Sequence, residues 1–540
     1  MQLHHIELGN LEQSSVNDML ATTLSLDSKQ IDALGETAFS FTGGNALFIL
    51  ELLRSLQDDD LLRFDEEKEQ WTCDNQLIPS LIKPGTTVRD LFKSKILDLP
   101  ADVRETLMVA SCLGSKLDEF LLRQIRSGLI STHFEMGAAK GLIRFDEVSA
   151  CFMFAHDGVQ QAVYALIPVE ERELYHRRIG GKILKNLDPD KLDDFVFVTV
   201  RQLILGRRLL SNDRDRAVVA SMCLQAGEKA ALNSTGFQTA LVYLGHGIDL
   251  LGPRRWRNEY RLCLRLYNAA AEASYCTAQF DEVGKLVDEV KSNARNFDDT
   301  LQASSTQIYT LSSSGQLPAA IGYALATLND LGEKFPHNPS PAQEAMSRWR
   351  THRLLRGLTD VQLLRLPPMV DPRKIAVMQI LNLLFLSAVY SRPRLGQMIV
   401  FRMVRLTVEH GACAISCVGF AFYGMVLCGY VAVSITSPLH RYFGLNAFFF
   451  CLVRGGFGIE EGYRFGKLAM QMYNEVKAEA WFCRVSAAFY GCICPWKMPI
   501  RSTLSQLKDA YHLGLRTGDI EYATVSERSM FRQDTSQSPI

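Results

Sequence analysis

Phe237-Gln238-Thr239-Ala240-Leu241-Val242-Tyr243-Leu244-Gly245-His246-Gly247 carries a large residue, a small one three places on, and two more apolar or small positions four and seven residues beyond that. Phe280, Val283, Val287 and Val290 repeat the order, and Leu317, Ala320, Ala324 and Thr327 repeat it again. The three starts are 43 and 37 residues apart. Spacings of three and four put these positions on one face of an α-helix. Small residues on that face let a second helix approach closely. The expected array is therefore antiparallel helix pairs of tetratricopeptide (TPR) type, each pair covering its neighbour's apolar face. A generic helical bundle is the alternative. Gly462, Gly466 and Ala469 mark a later unit of the same kind.

Working outward, nearly everything from about 168 to 523 has helical spacing. Two segments precede it. In the first, to about residue 83, helical runs at Ile31–Phe39 and Ala46–Leu56 are broken by Thr42-Gly43-Gly44-Asn45. Leu61-Leu62-Arg63-Phe64-Asp65 and Gln70-Trp71-Thr72-Cys73 then flank an acidic turn, a hairpin pattern with Trp71 as anchor. The second segment, 84–167, reads as four helices followed by two short strands, Leu142-Ile143-Arg144-Phe145 and Cys151-Phe152-Met153-Phe154. The first helix would be capped by Thr86 or Thr87. Helices followed by a two-strand wing predict a winged-helix domain. Its candidate recognition helix spans Lys116 to Arg126. The polar stretch from Ser526 to Ile540 has no period and is expected to be disordered.

Composition narrows the function classes. The 540 residues suffice for roughly three to four domains. With 58 basic against 59 acidic residues the net charge is −1, so no long-range field draws nucleic acid or an anionic membrane. The 13 cysteines are scattered without repeated spacing, as reduced thiols packed among apolar residues in a cytoplasmic protein would be. Cys492 and Cys494 form the one close pair, and no second pair or nearby His completes a metal site. The start, MQLHHIELGNLEQSS, lacks the apolar run of a secretory signal. Gly411 to Leu439 contains no Asp, Glu, Lys or Arg and is long enough to cross a bilayer. Its Gly, Ser and Cys content, Pro438, and Arg402, Arg405 and Glu409 just ahead of it favour a packed helix over a membrane span.

Three strings resemble motifs of one family. Thr42-Gly43-Gly44-Asn45-Ala46-Leu47-Phe48 resembles T-x-G-N-P-F-F. Phe154-Ala155-His156-Asp157-Gly158-Val159-Gln160-Gln161-Ala162-Val163-Tyr164 resembles F-x-H-D-R-V-Q-Q-A-A-Y. Leu366-Pro367-Pro368-Met369-Val370-Asp371-Pro372 resembles L-P-x-M-x-D-P. Together they look like the predicted-ATPase and helical-repeat region of large sensor kinases. Those proteins join a Ser/Thr-kinase-like domain, a signal-transduction ATPase of the STAND type, helical repeats, a GAF domain and a histidine kinase. The resemblance implies a mainly α chain: an ATPase lid remnant (1–83), a winged-helix domain (84–167), TPR-like α-solenoid repeats (168–430 and 459–525) and a tail (526–540). Residues 431–458 depart from the family, which passes almost directly from Leu427-Cys428-Gly429-Tyr430 to Gly462-Tyr463-Arg464-Phe465. That stretch reads as an insertion, as a retained intron in a gene model would leave.

The resemblance also implies where chemistry lies. The chain holds no G-x-x-x-x-G-K-[ST] loop and no kinase H-R-D or D-F-G set. A phosphate-binding core is expected upstream, so this chain is expected to be a fragment without a complete catalytic site. In STAND ATPases a His-Asp pair after the winged helix senses the bound diphosphate. That role would fall to His156, whose imidazole can donate a charge-assisted hydrogen bond to phosphate, with Asp157 capping the helix and orienting the ring. Gly44 and Asn45 could supply backbone near an adenine. The alternatives are plain: His156 and Asp157 as a helix cap, and Gly43-Gly44-Asn45 as a turn joining helices. Ala46 and Gly158 stand where the family has Pro and Arg, which weakens the nucleotide reading. ATP or ADP is therefore implied only together with the upstream core. The partners expected are a protein or peptide in the repeat groove and the upstream ATPase and kinase domains, with neither nucleic acid nor membrane. A winged-helix transcription regulator and a pure TPR-like scaffold are the competing functions.

Overall fold

The structure is a computed structural model that describes residues 9–24, 28–58, 61–65, 70–73, 88–147, 151–232, 236–429, 458–476 and 479–535. The chain is mainly α and divides into two compact units, Met1–Met222 and Cys223–Ile540.

The first unit has two cores. Helices α1 (Gln13–Leu24), α2 (Ser28–Thr42) and α3 (Ala46–Asp58) bury Val16, Leu20, Leu34, Ala38, Ile49 and Leu52 together. Strands β1 (Leu62–Asp65) and β2 (Gln70–Cys73) close this end as the expected antiparallel hairpin. Phe64 pairs with Trp71, their rings 5.5 Å apart and edge-on.

The second core takes α4 (Val88–Leu97), α5 (Ala101–Leu113), β3 (Lys116–Leu117), α6 (Glu119–Ile125), α7 (Ile130–Ala139), β4 (Ile143–Asp146) and β5 (Cys151–Phe154). The strands form an antiparallel sheet in the order β3-β5-β4. Thr86 and Thr87, expected as caps, lie outside the described residues.

Two expectations are corrected here. The candidate recognition helix, expected over Lys116 to Arg126, is shorter than expected. Lys116 lies in β3, and α6 starts only at Glu119, where the Asp118 side chain accepts from the Leu121 N–H at 2.8 Å. Nor does this core end at residue 167. Helices α8 (Asp157–Ala165), α9 (Val169–Asn186), α10 (Pro189–Asp194) and α11 (Val196–Leu205) follow; α9 packs on α6 and α11, and its Ile179 and Ile183 belong to the same buried core as Leu107 and Leu122. Spacing reveals an apolar face but not which neighbour covers it. A buried relay ties these helices. The Gln202 amide nitrogen donates to the Cys112 carbonyl at 2.7 Å, which leaves its oxygen to accept from His176 Nδ1, also at 2.7 Å. Nε2 then accepts from the Tyr164 hydroxyl at 3.0 Å. The ring is held neutral, and burial pushes its pKa below the ordinary histidine value.

In the second unit, residues from Cys223 on belong to α12 (Asp213–Ala231). Next come α13 (Phe237–Leu250), α14 (Arg255–Asn258), α15 (Tyr260–Cys276), α16 (Phe280–Asn293), α17 (Leu301–Ser313), α18 (Leu317–Asp330), α19 (Pro341–Leu355) and α20 (Asp360–Leu364). Then follow α21 (Pro372–Ser391), α22 (Pro393–His410), α23 (Ser416–Leu427), α24 (Ile459–Val476), α25 (Glu479–Ala488), α26 (Leu504–Thr517) and α27 (Ile520–Thr535). The long helices pack in succession: α15 on α16, α16 on α17, α17 on α18, α18 on α21, α21 on α22, and so on to α27. This is a TPR-like α-solenoid. The repeated small and apolar positions face the contacts. Ala240, Leu244 and Gly247 are buried, as are Val283, Val287 and Val290, and Ala320, Ala324 and Thr327. The large leading residues Phe237, Phe280 and Leu317 are only half-buried.

Glycines set the closest approach. A methyl on Gly462 would sit 2.7 Å from the Gly424 carbonyl oxygen, and one on Gly466 would sit 2.5 Å from the Phe489 ring. Farther on, the Arg484 guanidinium spans both oxygens of Asp519 at 2.9 and 3.1 Å and lies 4.6 Å over the Tyr522 ring, pinning α25 to the last two helices.

The uncharged stretch from Gly411 is core as far as it is described. Phe420, Ala421, Phe422 and Tyr423 of α23 are buried among neighbouring helices, and Arg402 is committed to Glu333 and Glu409. Among the described helices, α21 alone is long and apolar enough to cross a membrane, and 61% of its apolar window is buried within the protein. The insertion expected at 431–458 lies outside the described residues except for Gly458. The tail expected from Ser526 is helical to Thr535, with Ser526 buried, and residues 536–540 lie outside the described residues. Alternating small and polar residues hid that last helix.

Candidate functional site

The two motif strings of the first unit meet in space. Gly43 (φ +59°) and Gly44 (φ +78°) turn the chain between α2 and α3 in a conformation that L side chains rarely adopt. The Gly43 N–H donates to the Phe39 carbonyl at 2.8 Å and the Gly44 N–H to the Thr42 hydroxyl at 3.3 Å. A Cβ on Gly44 would fall 2.0 Å from the Leu11 carbonyl oxygen. Asn45 caps α3, its side-chain oxygen accepting from the Phe48 N–H at 3.2 Å. One turn into that helix, the Phe48 ring stands edge-on to the His156 ring, centroids 6.4 Å apart. Gly44-Asn45 and His156-Asp157 are therefore linked through Phe48.

His156, not Asp157, is the cap of α8. Its backbone is extended, and its Nδ1 accepts from the Gly158 N–H at 2.9 Å. The neutral ring thus carries its proton on Nε2. The side chain is exposed, so that N–H is available to an acceptor. Asp157 occupies the first turn, where a carboxylate complements the helix dipole. Gly158, where the resembling family has Arg, lies against both rings: a Cβ there would be 3.2 Å from His156 Nδ1 and 3.7 Å from the Phe48 ring. The chemistry available is one outward N–H donor at a helix start, with an aromatic edge beside it. Both glycine N–H groups of the turn are already used within the fold, so the turn itself offers no phosphate cradle.

A second candidate is the inner layer of the repeats. Arg373 bonds Asp298 at 3.1 Å, and the Ser387 and Ser312 hydroxyls lie 2.9 Å apart. Both pairs are 75 residues apart in sequence, so α17 and α21 run parallel in that register. The same offset sets Gln307 opposite Asn382. Asn268 Oδ1, Gln307 Oε1 and both amide atoms of Asn382 are buried without a hydrogen-bond partner. A buried unpaired amide costs about 1–3 kcal/mol. Spacing along any one helix does not reveal that Gln307 and Asn382 stand opposite one another, because that pairing exists only in the register between helices.

The other residue classes carry no site. The third family-like string is structural. The Met369 N–H donates to the Ala412 carbonyl and the Ala412 N–H to the Pro367 carbonyl, each at 2.8 Å, while Asp371 caps α21. Among the described residues no three His, Cys, Asp or Glu side chains gather as metal ligands. Burial pushes the Cys112, Cys223 and Cys494 thiols up to about 12, which keeps them protonated. Helix α7, at the place a recognition helix would take, contains no Lys or Arg.

No protein-family model matches the chain. It is 20% identical over 518 residues to the hybrid signal transduction histidine kinase G of Dictyostelium discoideum, a match covering 78% of this chain and 15% of that protein. It is 21% identical over 344 residues to the peroxide stress-activated histidine kinase mak3 of Schizosaccharomyces pombe, covering 61% of this chain and 14% of that one. The chain thus spans about a seventh of the length of these curated relatives. A solved STAND protein with a tetratricopeptide repeat sensor, from Pyrococcus horikoshii, aligns over 97% of this chain and 72% of its own at 9% identity, with a TM-score of 0.27. That score is too low to carry an argument about shape or function.

Proposed function

We propose that this chain is the regulatory and protein-interaction region of a multidomain signal-transduction ATPase of the STAND type, associated with a sensor kinase. Its helical repeats take up a protein or peptide partner and bias a nucleotide switch whose phosphate-binding core is encoded upstream. The observation that carries this reading is the meeting of two distant motifs, Phe48 against His156. It sets an outward imidazole N–H at the start of α8, against the end of α3 that follows the glycine turn. Similarity to two histidine kinases over most of the chain supports a signalling context.

Within the proposal, His156 Nε2–H donates to one oxygen of the nucleotide's terminal phosphate, and Phe48 holds the ring in place. Gly44 and Asn45 shape the turn that presents Phe48. Bound nucleotide would supply the negative charge that rewards this donor; it needs a phosphate cradle that these residues do not make. The buried, unpartnered amides of Asn268, Gln307 and Asn382 fit a switch as well. An array with unpartnered amides in one arrangement is poised to adopt another when a partner binds. A transcription-regulator reading is less well supported, since α7 offers no basic side chain to DNA phosphates. The cytoplasm is the compartment in which such a switch would act.

The test is ADP-induced thermal stabilisation of the protein extended upstream through its ATPase core. At a hundredfold excess over Kd, a bound ligand adds about 2.7 kcal/mol. His156→Ala should remove most of that shift. An equal shift in the variant would remove His156 from the switch.

A further inference from the structure

Helix α19 is attached to the second unit unlike its neighbours. It starts firmly, with Pro341 at its first position and a reciprocal cap between Ser340 and Gln343. Yet only Ser347, Thr351 and Leu355 are buried. Beneath it, Arg405 Nη1 donates to the Ser347 carbonyl at 3.1 Å and to the Thr351 hydroxyl at 2.7 Å. A helix that rests on two hydroxyls and one leucine has its other sides to spare.

The outward face is neither polar nor neutral. Met346 is 50% exposed and Trp349 54% exposed, three residues apart, and the Arg353 guanidinium lies 5.3 Å over the indole. Arg350 and Arg353 continue that face at helical spacing, and Arg356 follows at the helix end. None of these three has a carboxylate partner among the described residues. The one acid on the helix, Glu344, is shared by Arg348 at 2.8 Å and Arg394 at 3.8 Å. Local charge is therefore strongly positive in a chain whose net charge is −1. Exposed Trp with unpaired Arg is the composition of an interface hot spot.

We propose that α19 is a docking surface for an acidic segment of a partner protein, an apolar side chain seated on Met346 and Trp349 and carboxylates meeting Arg350, Arg353 and Arg356. The charge balance selects an acidic partner. The apolar centre between the arginines selects a folded or folding peptide over a bare polyanion. This surface shares no residue with the proposed nucleotide switch or with the buried amides, so it stands or falls independently of the switch.

The test uses the full chain and a fluorescein-labelled 20-residue peptide with Glu and Leu at helical spacing, read by anisotropy. Trp349→Ala and the double charge reversal Arg350→Glu/Arg353→Glu should each weaken binding at least tenfold, with melting temperature monitored because all three side chains face solvent. Replacing Glu by Gln in the peptide should have a similar effect. Phosphatidylserine vesicles and a single-stranded RNA are titrated in parallel. No measurable peptide binding, peptide binding that ignores the substitutions, or tighter binding of vesicles or RNA through the same residues would each overturn the proposal.

Discussion

Gly424→Ala, in the helix pair α23–α24, should destabilise the second unit even though alanine is the better helix former. A methyl at this position would stand 2.6 Å from the Gly462 carbonyl oxygen, 2.9 Å from Ile493 Cδ1 and 3.2 Å from the Gly466 nitrogen. Comfortable carbon contacts begin at about 3.5 Å, so the helices must part by about 1 Å. Two of the three neighbours are backbone and cannot swing away. Overpacking of this kind costs about 1–3 kcal/mol. Replacing a helical glycine returns about 0.5–1 kcal/mol. The expected net loss is about 1–2 kcal/mol, or roughly 2–8 °C in melting temperature. Gly322→Ala in α18 is the matched control, since nothing lies within 4 Å of its added methyl. It should raise stability by about 0.5–1 kcal/mol. Differential scanning calorimetry of both variants reads the two signs. A Gly424→Ala protein as stable as Gly322→Ala would refute close glycine packing as the reason for these residues.

Two further outcomes follow from other parts of the fold. His176 is held neutral by Tyr164 and Gln202, and burial lowers its folded pKa. The unfolded ring takes up its proton near the ordinary value of about 6.5 while the folded ring resists. Its stabilising contribution is therefore complete above that pH and declines as pH falls below it, by at most about 1.4 kcal/mol per pH unit. Melting curves from pH 7.5 to 5 should show this slope, and His176→Gln should flatten it; an unchanged slope would assign the titration elsewhere. Deleting residues 430–457 should leave α23 and α24 paired, because a Cβ on Gly458 would lie 3.0 Å from the Leu427 carbonyl oxygen. A short Gly-Ser joint between Gly429 and Gly458 should keep the melting temperature within a few degrees, and loss of folding would refute that dispensability.

Much of the architecture was legible in spacing alone. Ala240, Leu244, Gly247 and their counterparts at 283–290 and 320–327 announce helix contacts because only a periodic face can bury them all. The Phe64–Trp71 hairpin and the strands around Arg144 and Met153 were equally readable as short runs on either side of a polar turn. What spacing could not show was partnership. Ile179 and Ile183 make an apolar face whether it covers α6 and α11 or begins the repeats, so spacing alone could not say that they share a core with Leu107 and Leu122. Lys116 lies in a strand and Asp118 caps a helix, so the helix expected from Lys116 begins only at Glu119. At the candidate site the four residues Gly44, Asn45, His156 and Asp157 were visible as strings. The cap made by His156 itself, and the ring of Phe48 that joins the strings, needed three dimensions.

Under the proposed function, the bond-breaking machinery lies outside residues 1–540 and these residues regulate it. Phosphate release from ATP, measured on the purified chain and on the protein extended through its upstream core, tests this most directly. Turnover is expected only in the extended protein, with none above the buffer rate in the chain alone. Hydrolysis by the 540-residue chain that co-purifies with it and survives further purification would overturn the proposed function.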